Sequence, residues 1–218
     1  SYNSQIGVPL SVWLLNERSR LGVFEAGISQ PREMSALRHI IRPTLGVLTN
    51  IGPAHQENFA TLEEKCLEKL KLFKHADALV YNADNELIVR CLAEADFAGE
   101  RISWSRHSSR AAYTFKVHPE VDSTRIVCHH VGQPLCDFHI PFSDEASIEN
   151  AITAFVTMCS LPSEALPLPA LHELGERMAQ LQPVSMRLEV KAGVRGLTLI
   201  DDAYNSDLAS LDIARSEE

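Results

Sequence analysis

The 218-residue sequence contains no Gly-Lys pair. It therefore nowhere reads G-x-x-x-x-G-K-[ST], the loop whose backbone N–H groups cradle nucleotide phosphates. A chain of this kind that serves ATP must take its phosphate cradle from outside these residues. The five cysteines, Cys66, Cys91, Cys128, Cys136 and Cys159, show no C-x-x-C spacing, which argues against zinc and dithiol redox chemistry. Free thiols in a reducing compartment are the simpler expectation. No apolar run approaches the roughly 18 residues that span a bilayer, and no signal peptide opens the chain. The expectation is a cytoplasmic protein without a membrane partner. Basic residues are in deficit, 20 Lys and Arg against 29 Asp and Glu, for a formal net charge of -9. That excludes nonspecific nucleic-acid binding, which relies on clustered Lys and Arg. It leaves nucleotide binding open, because phosphates are held by local backbone donors, one lysine and a cation.

What is present reads as a globular α/β protein: 45% hydrophobic, 22% charged and 6% aromatic residues. The length suits one large domain or one and a half ordinary ones. The sequence has no initiator Met, opens on loop-like residues and stops inside an expected helix, Ser210 to Ser216. It is read as a piece of a longer polypeptide.

Alternating patterns organise the first hundred residues. A short helix is expected over Val8–Leu15, opened by Pro9. A buried strand over Leu21–Ala26 and a helix over Arg32–Ile41 follow, then a strand over Thr44–Leu48. A helix over Thr61–Lys74 starts at a capping box of Thr61 and Glu64. A strand over Ala78–Tyr81, the turn Asn82-Ala83-Asp84-Asn85 and a helix over Glu86–Ala95 complete this part. Strands alternating with helices imply a mostly parallel sheet flanked by helices. Over residues 101–141 the character changes to short runs separated by turns: Ile102–Trp104, Tyr113–Val117, Arg125–Cys128 and Leu135–Phe138. These read as a small antiparallel β insertion. Helices over Asp144–Cys159 and Glu164–Leu181 and strands over Leu188–Lys191 and Leu197–Ile200 close the pattern. The expected domains are 1–200, with 201–218 as a hinge into a further domain.

Candidate chemistry sits at strand ends. The loop Thr49-Asn50-Ile51-Gly52-Pro53-Ala54-His55 follows an apolar β-branched strand, and Phe24-Glu25-Ala26-Gly27 ends another. Ligands bind in such loops of open α/β sheets. Alone, Glu25 could cap a helix and His55 could be an ordinary loop histidine. Together they suggest a divalent-ion site, magnesium or, given the nitrogen ligand, manganese. At 100° per residue, Leu62, Cys66, Lys69 and Phe73 share about 60° of one helix face. Lys69 must therefore snorkel outward or face a partner in a buried site. Asn150 opens the apolar stripe Ile148, Ala151, Ile152, Phe155, while Arg187, Asp202, Tyr204 and Asn205 gather about the last strands. His118, His129, His130 and His139 match no standard ligand spacing and are read as surface histidines.

Five ordered segments carry a resemblance: Tyr2-Asn3-Ser4-Gln5-Ile6-Gly7-Val8-Pro9-Leu10, Phe24-Glu25-Ala26-Gly27, Thr49 to His55, Asn82-Ala83-Asp84-Asn85, and Asp201-Asp202-Ala203-Tyr204-Asn205. In this order they resemble the Mur ligases, specifically the central ATPase domain of the branch adding D-Ala-D-Ala to UDP-N-acetylmuramoyl-tripeptide. The resemblance implies a P-loop NTPase-like domain lacking its P-loop unit, which would lie within roughly 35 residues before Ser1. It implies Glu25 and His55 as magnesium ligands, and Lys69 as a carbamylated lysine holding a second Mg2+. It implies Asn150 at the adenine, with Ala146-Ser147 replacing the usual His-Asn, and Arg187 on ATP. Asp202 would hold the ribose hydroxyls, and Tyr204 and Asn205 would complete the hinge. Catalysis would fall to Lys69 and His55, with ATP and two Mg2+ as cofactors. The wording Ser4-Gln5-Ile6-Gly7 and Ser147-Ile148-Glu149-Asn150-Ala151 resembles the form fused to an alanine racemase. The alternatives are another Mur ligase, a folylpolyglutamate synthetase-like enzyme, or a non-catalytic nucleotide-binding or scaffolding module.

Overall fold

The computed structural model describes residues 2–52, 56–162, 170–182, 189–192 and 197–201. The chain divides into two units, Ser1–Ala179 and Gln180–Glu218. Within the first unit the helices are α1 (Gly7–Trp13), α2 (Glu33–Ile41), α3 (Leu62–Leu70), α4 (Glu86–Glu94), α5 (Glu145–Cys159) and α6 (Leu171–Met178). The strands are β1 (Leu45–Leu48), β2 (Ala78–Asn82), β3 (Glu100–Ser105), β4 (Tyr113–Pro119), β5 (Thr124–His130) and β6 (Gln133–Ile140). They form a single sheet in sequence order, β1 to β6. Pairings β1/β2, β2/β3 and β3/β4 are parallel, and β4/β5 and β5/β6 are antiparallel. In the second unit β7 (Glu189–Ala192) pairs antiparallel with β8 (Thr198–Asp201).

Local chemistry sets the helix starts. Thr61 accepts a hydrogen bond from the Glu64 N–H at 3.1 Å, and Glu64 reaches back to the Ala60 N–H at 2.8 Å. The expected capping box thus forms, with its return bond one residue further out. Asn85 and Asp144 cap α4 and α5 in the same way, accepting from Ile88 and Ser147. The helix expected to run to Lys74 tightens after Leu70 into a 3-10 turn over Lys71–Phe73.

Side-chain alternation along β2 places Leu79 and Val80 on opposite faces of the sheet, both fully buried. On Leu79's face lie Met34 and Leu37 of α2, Cys66 and Leu70 of α3, and Ile88, Cys91 and Leu92 of α4, in one apolar cluster. On the sheet's antiparallel part, Phe155 of α5 stacks on Phe138 of β6 at 4.6 Å and meets Phe115 of β4 edge-on at 6.3 Å. Gly175 lets α6 approach β6, since a Cβ there would lie 3.2 Å from Phe138 Cβ.

Two expectations are corrected. The run Leu21–Ala26 is not a buried strand: it joins no ladder among the described residues, and Leu21 and Val23 are 38% and 86% exposed. A β-branched apolar run becomes a strand only where a neighbour accepts its backbone bonds. The run Ile102–Trp104 belongs to the parallel part, pairing with β2 from Ala78↔Glu100 to Asn82↔Trp104. The helix α4 between β2 and β3 makes the return that a parallel pair requires. Only the β4/β5 and β5/β6 pairings are antiparallel, and these strands extend the main sheet. The helix expected over Glu164–Leu181 is described as Leu171–Met178, with 163–169 outside the described residues.

All five cysteines are free. Cys128 and Cys136 face each other across β5 and β6. A hydrogen bond between the two thiols holds Cys128 high and brings Cys136 low. Burial pushes Cys159 up to about 11 and Cys66 up to about 12. Because the thiolate is the nucleophile, iodoacetamide at about pH 8 should label Cys136 first. Peptide mass mapping at partial modification checks this, and earlier labelling of Cys66 or Cys159 would refute it.

Candidate functional site

The three parallel strands β1, β2 and β3 end on one edge of the sheet, and each is followed by a polar loop. After β1 the chain runs through Asn50, Ile51 and Gly52. Asn50 accepts from the Ile51 N–H at 2.7 Å, and Ile51 is buried. From α3, Lys65 donates to the Gly52 carbonyl at 2.6 Å. The two short segments that precede the sheet are also joined. Asn3 donates from Nδ2 to Glu25 Oε1, and the Gly27 N–H donates to the Asn3 carbonyl, each at 2.8 Å. A side chain at Gly27 would press on that carbonyl at 3.1 Å, so glycine here permits the close approach.

These segments enclose a cavity of about 470 Å³ lined by residues that include Asn3, Gln5, Gly27, Gly52, Lys65 and Lys69. Gln5 Nε2 is buried with no hydrogen-bond partner, an orphaned donor that an oxygen-bearing ligand would satisfy. Burial pushes the Lys69 ammonium below its ordinary value, and the Lys65 charge pushes it the same way. The neighbouring Cys66 and then the Glu25 charge oppose both. Lys69, which its place on the apolar stripe left to snorkel outward or to face a partner in a buried site, lines the cavity.

A second polar cluster joins the ends of β2 and β3 to the start of α5. Asp84 accepts from Ser105 Oγ and, at 2.7 Å, from the Arg106 N–H. The Arg106 guanidinium pairs with Glu145, and Asn82 Nδ2 reaches Glu149 Oε1 at 3.4 Å. Burial, then the neighbouring Glu145 charge, raises the Glu149 carboxyl above its usual range. Asn150 follows Glu149 and is exposed, off the buried stripe of Ile148, Ala151, Ile152 and Phe155.

Lys69 lines the cavity, Glu25 is hydrogen-bonded to Asn3, which also lines it, and Asn150 stands next to Glu149 of the second cluster in sequence. His55, Arg187, Asp202, Tyr204 and Asn205 lie outside the described residues. Among the described residues no group of three or more His, Cys, Asp or Glu could hold a metal ion. Of the β-strand histidines, His118, His130 and His139 are exposed and His129 is half-buried. The sequence reading passed over Lys65, only 3% exposed. Four residues before Lys69, it lies about 40° away on the helical wheel, and that spacing was the signal available. Asn3 and Asp84 stood inside quoted motifs without assigned roles, and Arg106 carried no sequence signal.

Comparison with known proteins bears on both fold and family. The family model described as Mur ligase middle domain matches residues 1–158. A UDP-N-acetylmuramoyl-tripeptide–D-alanyl-D-alanine ligase of Bacillus subtilis is 24% identical over 217 residues, covering 98% of this chain and 44% of its own length. The crystal structure of MurF from Acinetobacter baumannii superposes with a TM-score of 0.79 at 21% identity, over 97% of this chain and 45% of that one. MurF ligase from Thermotoga maritima in complex with ADP gives 0.64 at 20% identity, over 84% of this chain and 41% of that one. The chain thus spans less than half the length of these relatives. No helix among the described residues is long and apolar enough to cross a membrane.

Proposed function

Because the chain belongs to the Mur ligase family, through its middle domain, we propose that it is the ATPase portion of a D-Ala-D-Ala-adding ligase. The longer polypeptide would join D-Ala-D-Ala to UDP-N-acetylmuramoyl-tripeptide with ATP. The observation that carries the reading is Lys69 on the wall of a cavity that Asn3 also lines, with Asn3 hydrogen-bonded to Glu25. The named relatives support this branch over other Mur ligases and over a scaffolding module.

The residues fit magnesium. Glu25 offers hard carboxylate oxygens, the donor type this ion selects, and the Asn3 amide fixes its orientation as outer-shell partners of metal ligands do. An ammonium cannot ligate a cation. A carbamylated Lys69 would present two oxygens instead, which accounts for a lysine in this position. Bound Mg2+ would neutralise the charge that builds between the substrate carboxylate and the γ-phosphate. His55, next in sequence after Ala54, is the further proposed ligand.

In the proposed reaction the tripeptide's terminal carboxylate attacks the γ-phosphorus of ATP, giving an acyl phosphate and ADP. The D-Ala-D-Ala amine adds to the acyl carbon, and the tetrahedral adduct expels inorganic phosphate. Gln5 is placed to donate to an oxygen of a ligand in the cavity. The second cluster holds α5 against the β2 loop, and Asn150 is proposed for the adenine. Arg187 and Asp202 are proposed for the ATP phosphates and ribose, with Tyr204 and Asn205 in the hinge. A fused alanine racemase would supply the D-alanine from which the dipeptide is made.

The test is product formation by the full-length protein. With ATP, Mg2+, UDP-N-acetylmuramoyl-tripeptide and D-Ala-D-Ala, it should yield the pentapeptide and one phosphate per bond formed. Phosphate release without the pentapeptide, or activity only with a single amino acid as acceptor, would assign it to another branch.

A further inference from the structure

Strands β5 and β6 carry a pair of thiols that the proposed reaction does not use. Cys128 and Cys136 are direct register partners, so their side chains leave the sheet on the same face. Ile126, Phe138 and Ile140, all buried, share that face. Facing residues of an antiparallel pair stand about 4.5–5.5 Å apart at Cα, inside the roughly 4.4–6.8 Å that a disulfide spans. The register shifts immediately after Cys128, and such an irregularity lets a strand bend locally. The two thiols differ in access. Cys128 is fully buried, whereas Cys136 is half-buried on β6, the edge strand of the sheet. The Cys128 thiol also holds its proton the more firmly of the two, and its hydrogen bond brings Cys136 low.

Cys66 and Cys91 supply the contrast. They are 0% and 2% exposed within the apolar cluster, and burial raises both thiols. Such cysteines act as small apolar core residues. A half-open thiol that ionises readily and faces a buried one is the arrangement of a reactive cysteine beside its resolving partner.

We propose that Cys136 and Cys128 form a peroxide-sensitive dithiol that closes reversibly to a disulfide between β5 and β6. The Cys136 thiolate attacks one oxygen of a hydroperoxide: the S–O bond forms, the O–O bond breaks, and the leaving oxygen takes up a proton and departs as water or an alcohol. The Cys128 sulfur then attacks the sulfenic sulfur. The S–S bond forms, the S–O bond breaks, and the expelled hydroxide leaves as water with the Cys128 proton. Two thiols are oxidised and one peroxide is reduced. Facing Cβ atoms lie about 4.5–5.5 Å apart, against about 3.5–4.5 Å in a disulfide. Closure therefore draws the two strands together, and a bond under such strain is readily reduced by a low-molecular-weight thiol. This chemistry is separate from the ligase reaction.

The experiment treats the full-length protein with hydrogen peroxide and blocks the remaining thiols with N-ethylmaleimide. The oxidised thiols are then reduced and labelled with iodoacetamide for site-resolved mass spectrometry. Iodoacetamide should appear on Cys128 and Cys136 in equal yield, with Cys66, Cys91 and Cys159 carrying the first label. Glutathione added before blocking should return both to the first label. In Cys128→Ala, the same treatment should leave Cys136 as a sulfenic acid that dimedone traps. If that variant fails to fold, Cys136→Ser reads the same step, because its Cys128 should stay reduced. Pairing of Cys136 with Cys159, oxidation of Cys136 to a sulfinic acid beside a reduced Cys128, or oxidation of Cys66 and Cys91 as early as this pair would each overturn the proposal. So would a Cys128 that oxidises in Cys136→Ser, or a parent protein whose thiols all stay reduced.

Discussion

On the proposed function, Lys69→Ala in the full-length protein should abolish pentapeptide formation and leave folding intact. Losing the charge stabilisation supplied through one metal contact is worth several kcal/mol, on the order of 10³-fold in rate. Folding should survive because Lys69 lies on a cavity wall, and its ammonium is disfavoured there by burial and by Lys65. The same two effects favour the neutral amine, the form whose nitrogen lone pair can attack carbon dioxide. The N–C bond forms, one oxygen takes the negative charge, and the nitrogen's proton leaves to water. Glu25 acts in the opposite direction. Lowering the pKa enlarges the neutral fraction at any pH below it, so carbamylation should strengthen as pH rises toward that value. The truncated variant would keep a gap where the proposed carbamate stands. Added acetate or propionate should therefore restore part of the rate, and chloride should not. Turnover equal to the parent's would show that Lys69 merely snorkels toward solvent. Loss of activity without rescue would remove the carbamate and retain a role for the lysine itself.

The legibility of this site in the sequence follows from what determines each part. Strand β1 and helix α3 were visible because burial imposes periodicity: Leu48, Cys66 and Leu70 are all buried. Thr61 and Glu64 marked the helix start because the cap chemistry is local. Lys69 stood out as a charged residue on an apolar stripe. Leu21–Ala26 was misread because composition records the capacity to form a strand, while a ladder depends on a neighbour that local sequence does not specify. The parallel pairing of β3 was missed for a related reason. Short alternating runs look alike in either direction, and direction is set by the intervening helix α4. Lys65 and Asn3 gave no signal in the sequence because their contacts are long-range: Lys65 bonds a carbonyl 13 positions away, Asn3 a carboxylate 22 positions away. The resemblance to the Mur ligases supplied roles for residues whose spacing alone left several readings open.

Phe155→Ala should produce the largest loss of stability among single core changes on the antiparallel side of the sheet. Phe155 is wholly buried in the middle of α5, stacked on Phe138 with 21° between ring planes and perpendicular to Phe115. Phe115 in turn meets Trp104 of β3 edge-on at 6.4 Å. One ring thus joins the helix to β4 and β6, and through Phe115 to the last of the strands that end at the candidate site. Truncating a buried phenylalanine costs about 3–5 kcal/mol through lost transfer free energy and the cavity left behind. Two aromatic pairs lost with it place this site at the upper end of that range. Urea unfolding of the chain should show a lower midpoint at an unchanged slope, the signature of altered stability without altered exposure. Phe155→Leu should lose less, because it keeps most of the volume. The consequence for the proposed nucleotide site runs through Glu149 and Asn150, which lie on the same helix. A helix held less firmly to the sheet weakens the Asn82–Glu149 contact and the orientation of Asn150. Nucleotide affinity in the full-length protein should therefore fall even below the unfolding transition. A stability loss under about 1 kcal/mol would mean that α5 closes the gap by moving onto the sheet, and nucleotide affinity would then report how far it moved.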